Sequence, residues 1–334
     1  MTTIERTRTA EERSSGTSVW RTIRLFWADS LIALVVKRLF AGVATVLVVL
    51  AVVFLISNVI GDPAVLMLPP EATAEQVEAL RTELGLDRPL FVQFAESFSG
   101  WITGDFGVST WQGMPALPLA IESFAKTLYL AEVTLIVAVP LGVIFGLAAG
   151  RRPNSWVDRL ITSISALGVS MPTFWLGLLL ILVFAVTLRW FPTNGYGGLH
   201  YAVLPACAMA LLPLGRIAQI TRSSVADEMG KLYVTAARTR GLAEGAIGRQ
   251  HVLRNAAIPV LTLIGSEVAS LLNGIVIIEV IFAWPGIGSM LITSIQQRDL
   301  PLITASVAVI AAVAVLVNLI VDLAYLFIDP KVRR

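Results

Sequence analysis

Long uncharged apolar runs, separated by short polar connections, dominate the pattern of this chain. A membrane-spanning helix needs about 20 mainly apolar residues. The pattern predicts spans at residues 39–57, 133–150, 160–188, 202–220, 256–282 and 302–327. Met171-Pro172 predicts a kink in the third span, and Pro205, Pro213 and Arg216 predict interruptions of the fourth. The predicted fold class is therefore an all-α polytopic membrane protein with six transmembrane helices.

The polar segment 61–125, between the first two spans, predicts a folded external insert. Thr73 and Gln76 have the spacing of a capping box, which marks a helix start, and Gly85 marks its end. Between them Val77, Leu80 and Leu84 form one apolar stripe. A second helix is expected after Pro89, with aromatic residues at helical spacing that are more typical of a core than of a ligand site: Phe91, Phe94, Phe98 and Trp101.

Lysine and arginine concentrate in the N-terminal tail, at residues 151–152, in the segment 227–259 and in the last four residues. These regions share a side if the spans alternate, and the positive-inside rule makes that side the cytoplasm. The acidic insert then lies outside. The predicted organisation is a cytoplasmic tail at 1–36 with an interfacial helix near 20–29, a first span at 37–60, the insert at 61–125, a five-helix core at 126–328, and a cytoplasmic tail at 329–334.

Composition supports a membrane protein, because 56% of the residues are apolar and 14% are charged, against about 45–50% and 25% in soluble domains. A single cysteine, Cys207, excludes an internal disulfide. His200 and His251 are too few and too dispersed for a histidine metal site. No phosphate-binding loop or nucleophile–base pattern is present. We therefore expect no catalytic, cofactor or metal site on this chain, and membrane topology explains its basic loop without nucleic acid.

The segment 227–259 is too basic to cross a bilayer, and its first half has the pattern of a helix with a small-residue face. Leu232 and Ala236 are four residues apart, as are Tyr233 and Ala237, and Gly241 ends the pattern. Small side chains allow close approach of another surface, and flanking arginines can donate to it. The segment is interpreted either as a docking helix for a soluble partner or as an ordinary positive-inside loop.

Several motifs resemble the dipeptide/oligopeptide/nickel permease family of ABC importers, in the subunit type with a large external insert. They are YVTAARTRGL followed by HVLRNAAIP, then EVIFAWPGIG and VNLIVDLAYLFIDPKVR. The resemblance implies the type I ABC importer permease fold, with a coupling helix inside a loop at 227–255. The glutamate that names the wider loop motif is absent, and Thr235 stands near its place. The implied ATPase-coupling residues are Tyr233, Ala236, Ala237, Arg238, Arg240, Gly241, Leu242, His251 and Arg254.

The resemblance also implies partners and a function. The chain would form half of a translocation pathway for di- or oligopeptides in a bacterial inner membrane. Its partners would be a second homologous permease, an extracellular or lipid-anchored solute-binding protein, and two ABC ATPases that bind ATP and Mg²⁺. A nickel or other small-solute permease is the alternative within the family. Secondary transporters and intramembrane enzymes are alternatives from other classes, without paired halves or a motif to support them.

Polar residues inside the spans are candidates for the pathway, because ionisable groups in lipid are costly and usually functional. Four residues are predicted to face the pathway: Ser170, Met171, Glu267 and Asn273. For Glu267 the alternative is a structural bond to a hydroxyl or arginine of another span. Glu279, near a span end, is expected to be structural.

Overall fold

A computed structural model of the chain describes residues 35–56, 72–83, 85 and 87–328. The N-terminal tail, the start of the insert, Leu84 and the C-terminal tail lie outside these residues, as do the side chains of His251 and Asn273. The helices are α1 Val35–Ile56, α2 Ala74–Glu83, α3 Leu90–Thr103, α4 Ala116–Gly150, α5 Trp156–Ser170, α6 Thr173–Leu180, α7 Leu199–Met229, α8 Leu232–Thr239, α9 Glu244–Ile247, α10 Leu253–Ile281, α11 Ile287–Gln296 and α12 Leu300–Ile328. π-Helical turns extend α6 over Ile181–Thr187 and join α9 to α10 over Gly248–Val252.

Four of these helices, α1, α4, α7 and α12, are long and apolar enough to cross a membrane. Two bent pairs also meet this test: α5 with α6 and its π-helical extension, and the two parts of α10 on either side of a break after Leu271. The described part of the chain therefore has six candidate spans when each bent pair counts as one. The predicted all-α membrane fold is confirmed.

The predicted kink at Met171-Pro172 is a sharp bend. The axes of α5 and of α6 with its extension differ by 104°. Met171 has an extended backbone (φ −81°, ψ 130°), as the residue before a proline usually does. Local chain chemistry is enough to explain this bend, which is why the sequence predicts it.

The predicted interruption of the fourth span is wrong, because α7 is one helix of 31 residues that contains Pro205 and Pro213. Both prolines are buried. Each removes one backbone donor, but packing against neighbouring helices lets a membrane helix continue through such sites. Tertiary contact overrides the local preference.

A stripe of glycines on α4 allows this helix to pack closely against α7. Gly142, Gly146 and Gly150 are spaced four residues apart and face α7. A Cβ atom at these positions would lie 2.9 Å from Ile217, 2.4 Å from Thr221 and 2.8 Å from Val225, respectively. Such distances leave no room for any side chain. The stripe lets the two helix backbones approach closely, as small residues do in membrane interfaces.

The helix that contains the second predicted span begins before that span and before residue 125, the predicted boundary between insert and core. Helix α4 starts at Ala116, directly after Pro115. Glu122 and Lys126 break the uncharged run on which the prediction rested, yet they are one turn apart and pair at 2.9 Å. A pair of this kind supports a helix rather than ending it.

The insert helices are confirmed where they are described. The Thr73 N–H donates to Gln76 Oε1 at 2.9 Å, and the Gln76 N–H donates to Thr73 Oγ1 at 3.3 Å, which completes the capping box. Gly85 follows α2 with a φ of +67°. On α3, the ring of Phe94 lies 6.2 Å from that of Phe98 and 6.0 Å from that of Trp101. These three rings pack with one another, as expected of a small core, but Phe91 is 80% exposed, so the prediction that it belongs to the core is wrong.

Candidate functional site

Within the segment 227–259, the short helix α8 lies between the end of α7 and the start of α10. Helix α9 and a π-helical turn follow it. Lys231 has an extended backbone (φ −77°, ψ 150°) and separates α8 from α7. Gly241 has a φ of +78°. Its N–H donates to the Arg238 carbonyl at 2.9 Å, and the Leu242 N–H donates to the Ala237 carbonyl at 3.3 Å. Glycine adopts this left-handed conformation without strain, so the predicted helix and its glycine stop are confirmed.

One face of α8 is buried against the chain itself. Val234 is 0% exposed and Ala237 is 7% exposed. They pack in a cluster with Val225 of α7 and with Ile247 and Val252 of the segment leading into α10. The prediction that Ala237 offers its small side chain to a partner is therefore wrong. Residues three apart share a helix face, and here the face of Val234 and Ala237 is the inner one.

The opposite face of α8 is open. Leu232 is 88% exposed, and Ala236, four residues on, is exposed as well. Arg238, Arg240 and Leu242 are also exposed. A Cβ atom at Gly241 would meet no atom within 4 Å. Most of the predicted coupling residues with described side chains are thus exposed, and they include apolar side chains, cations and an open position at Gly241.

Hydrogen bonds join α8 to both neighbouring helices. Glu228, at the end of α7, accepts a 2.6 Å hydrogen bond from the Tyr233 hydroxyl and pairs with Lys231. The amide of Asn255, in the first turn of α10, donates to the Tyr233 hydroxyl oxygen at 3.3 Å. Burial and the hydrogen bond to Glu228 raise the pKa of Tyr233, so this hydroxyl keeps its proton. The network fixes the position of α8 relative to both spans.

The remaining coupling residues lie just before α10 and at its start. Arg254 is exposed in the first turn of this helix. The side chain of His251 is outside the described residues. Asn255 belongs to the HVLRNAAIP motif, and its bond to Tyr233 explains why an amide side chain suits this position.

An ion pair that the sequence did not reveal joins α5 to α7 near the same end of the molecule. Arg222 donates to both carboxylate oxygens of Asp158, with 2.8 Å between its Nη2 and Oδ2. The backbone N–H of Asn154 donates to the same Oδ2 at 2.8 Å. Asp158 is 2% exposed. A bidentate arginine–carboxylate pair with a further donor fixes the orientation of the two helices.

The structure describes the side chains of three of the four predicted pathway residues, and that of Asn273 lies outside the described part. Ser170 and Met171 lie at the bend between α5 and α6. Within the described residues, no hydrogen bond or ion pair joins them to Glu267. Glu267 instead accepts a 3.2 Å bond from Nη1 of Arg216 on α7. It also lies 3.3 Å from the Ser270 hydroxyl. The residue Glu267 is 3% exposed. Its contacts with an arginine and a hydroxyl match the structural alternative.

A second buried carboxylate, Glu279, accepts hydrogen bonds near the C-terminal end of α10. It is 0% exposed, accepts a hydrogen bond from the Thr127 hydroxyl, and accepts another from the Ser289 N–H at 3.0 Å. A Cβ atom at Gly286 would lie 1.9 Å from Glu279 Oε1. Only glycine fits this close approach, which explains the glycine at position 286 in the EVIFAWPGIG motif. Glu279 has the structural role that was expected.

A cavity of about 640 Å³ opens beside this turn. Its lining combines the paired Glu122 and Lys126 of α4, Trp111 of the loop before α4, and Thr293 and Gln296 of α11. The loop is fixed by Asp299, which accepts hydrogen bonds from the Ser109 hydroxyl and from the Trp111 N–H at 3.1 Å. Neither α11 nor this cavity was predicted from the sequence.

Two protein-family models match the chain, and they meet within helix α4. Residues 138–334 match the family "Binding-protein-dependent transport system inner membrane component". Residues 31–142 match the N-terminal family of the same membrane component. The glutathione transport system permease protein GsiC of Escherichia coli strain K12 is 38% identical over 300 residues, or 90% of this chain and 98% of that protein. GsiC of Salmonella typhimurium strain LT2 has the same identity and coverage.

Two solved structures also resemble the chain. One is the crystal structure of an amino acid ABC transporter with histidines, with a TM-score of 0.49, 18% identity, and coverage of 62% of this chain and 92% of that one. The other is the inward-facing MetNI methionine ABC transporter, with a TM-score of 0.48, 15% identity, and coverage of 64% and 96%.

The family models and the relatives agree with the apolar helices of the structure on a multi-pass inner-membrane permease. Its fold is that of a type I ABC importer permease. The chain therefore belongs to the family of binding-protein-dependent transport system inner membrane components.

Proposed function

We propose that this chain is the permease subunit of an ATP-driven importer and forms half of its pathway for di- or oligopeptides. A second homologous permease forms the other half. Two ABC ATPases bind and hydrolyse ATP with Mg²⁺, and an extracellular or lipid-anchored binding protein delivers the solute. Both termini lie in the cytoplasm, where the ATPases bind. The non-catalytic role of this chain agrees with the permease names of its relatives.

The exposed face of α8 is the observation that supports ATPase coupling. Leu232 and Ala236 share an exposed face of α8, and the exposed cations Arg238 and Arg240 and the open Gly241 lie in its last turn and just after it. Apolar atoms gain by burial in a cleft, and guanidinium groups can donate to carboxylates or carbonyls at its rim. A short helix with such a face fits a partner's cleft.

The bonds of Glu228 and Tyr233 explain how movement of α8 reaches the spans. Glu228 belongs to α7 and Asn255 to α10, and Tyr233 bonds to both. Moving an equilibrium between inward- and outward-open states from 1:99 to 99:1 takes about 5.5 kcal/mol. A contact that transmits this free energy has to be rigid. The buried face of α8 and its hydrogen bonds supply that rigidity.

The solute assignment is supported by the GsiC relatives, which are named for glutathione, a short peptide. Peptide backbones need polar contacts in an otherwise apolar pathway. Ser170, Met171, Glu267 and Asn273 remain the proposed pathway residues, with Glu267 acting through its ion pair. If Glu267→Gln and Asn273→Ala both leave uptake and solute preference unchanged, this assignment is wrong.

Purification of the tagged chain from its native membrane tests the function. We expect it to bring a second permease and two ATPases, and the reconstituted complex to import peptide only with ATP and the binding protein. Transport by the chain alone would instead indicate a secondary transporter. Affinity of the binding protein for nickel rather than for peptides would support the alternative solute.

A further inference from the structure

An arginine is exposed in the middle of a spanning helix. Arg216 is the eighteenth of the 31 residues of α7, and Glu267 is the fifteenth of the 29 residues of α10. At 1.5 Å per residue, the backbone of Arg216 is about 20 Å from the nearer helix end. Because α7 continues past the predicted span end at residue 220, Arg216 lies about 6 Å inside that span, and its guanidinium reaches Glu267 in the middle of α10.

Arg216 makes one contact with its buried partner, Glu267, and much of its side chain stays exposed. Its side chain is 45% exposed, whereas that of Glu267 is 4% exposed. One contact, from Nη1 to Oε1 at 3.2 Å, joins them. Among the described residues Arg216 makes no other hydrogen bond, although a guanidinium has five N–H donors arranged as a fork. The remaining donors have no partner among the described residues.

Polar groups of α10 extend the exposed surface around this arginine. The hydroxyl of Ser270, an exposed residue, lies 3.3 Å from Glu267 Oε2. Ser266 is also exposed and, being one turn away, shares a helix face with Ser270. A charged side chain at the centre of a spanning helix costs about 2.5–3.5 kcal/mol if it faces lipid. Water or another protein surface is a far better environment for a mid-span surface with one cation and two hydroxyls.

Resting on the proposed transport function, we propose that Arg216 lines the translocation pathway and binds a carboxylate of the solute, such as the C-terminus of a peptide. The guanidinium fork matches a carboxylate in shape and charge. Glu267 is the positioning residue, because it holds one nitrogen of the fork and leaves the others available. Since the Arg216–Glu267 pair is neutral overall, its attraction for an anion is local. A transport site needs this, because binding must be weak enough for release.

Thiol labelling at Ser270 tests the inference without depending on transport. The complex carries Cys207→Ser and Ser270→Cys and is treated with a charged, membrane-impermeant thiol reagent, with and without ATP. We expect labelling in at least one of these conditions. Trialanine, which has a free carboxylate, should slow labelling at least threefold, and trialanine amide should not. Arg216→Gln should abolish the protection, whereas Arg216→Lys, which keeps the charge without the fork, should reduce it.

The matched control is Arg159→Gln, which removes an exposed arginine of α5 and should leave the protection intact. Three results would overturn the inference: no labelling in either condition, equal protection by the acid and the amide, or protection that survives Arg216→Gln. The first result would mean that the surface contacts lipid or the second permease. Because the readout requires neither ATPase coupling nor uptake, a failure of the proposed importer function would be seen separately.

Discussion

Ala236 and Ala237 are neighbours in α8 with opposite surroundings. Ala236 is exposed, whereas Ala237 lies in a cluster with Val225 and Ile247. The same substitution at the two positions therefore separates contact with a partner from packing within the chain. At this scale, what a small residue does depends on the direction it faces.

Ala236→Trp should block seating of α8 in an ATPase cleft while leaving the permease as stable as before. Ala237→Trp should instead overpack the inner cluster, at a cost of about 1–3 kcal/mol. Thermal unfolding of the purified permease and retention of the ATPases measure the two effects. Normal uptake and normal subunit stoichiometry in Ala236→Trp would contradict the coupling role of this face.

Packing between α4 and α7 shows what determines structure at the scale of elements. Gly142, Gly146 and Gly150 make close contact possible between the last turns of α4 and helix α7. The bidentate bond of Arg222 to Asp158 then joins α7 to α5. Helix α7 is thus held from two sides, and it remains continuous through two prolines.

Gly146→Ala should destabilise the permease by about 1–3 kcal/mol, because its Cβ atom would lie 2.4 Å from Thr221. Gly265→Ala, on α10, is the matched control. Its Cβ atom would meet Val321 at 3.9 Å, an ordinary contact. Alanine is favoured over glycine inside a helix by about 0.5–1 kcal/mol, so this variant should be neutral or slightly more stable. Equal effects in thermal unfolding would mean that the stripe is not a tight interface.

Features that depend on neighbouring residues were predictable from the sequence. The capping box at Thr73, the bend at Met171 and the stop at Gly241 all follow from local backbone chemistry. Features set by tertiary contact were not. The inward direction of Ala237 and the bond between Arg216 and Glu267 depend on which helices meet. The position of helix α8 along the chain was predictable, but which of its faces is exposed was not.

At the scale of the whole molecule, the distribution of Lys and Arg predicts how the spans are oriented in the membrane. Thr82, at the end of α2, and Thr239, at the end of α8, should lie on opposite sides of the membrane. Both are exposed. With Cys207 replaced by serine, Thr82→Cys should react with an impermeant thiol reagent from outside and Thr239→Cys only from inside. The reverse pattern would contradict the proposed topology and the position of the coupling helix.

A cross-link from Ala236 to an ATPase tests the central claim most directly. In the Cys207→Ser background, Ala236→Cys would carry a short thiol-reactive photo-cross-linker in the assembled complex. We expect an adduct with an ATPase subunit whose yield changes with ATP, and no such adduct from Thr82→Cys. If Ala236→Cys gives no ATPase adduct in a complex that still imports solute, the segment 227–259 is a positive-inside loop and the coupling account is wrong.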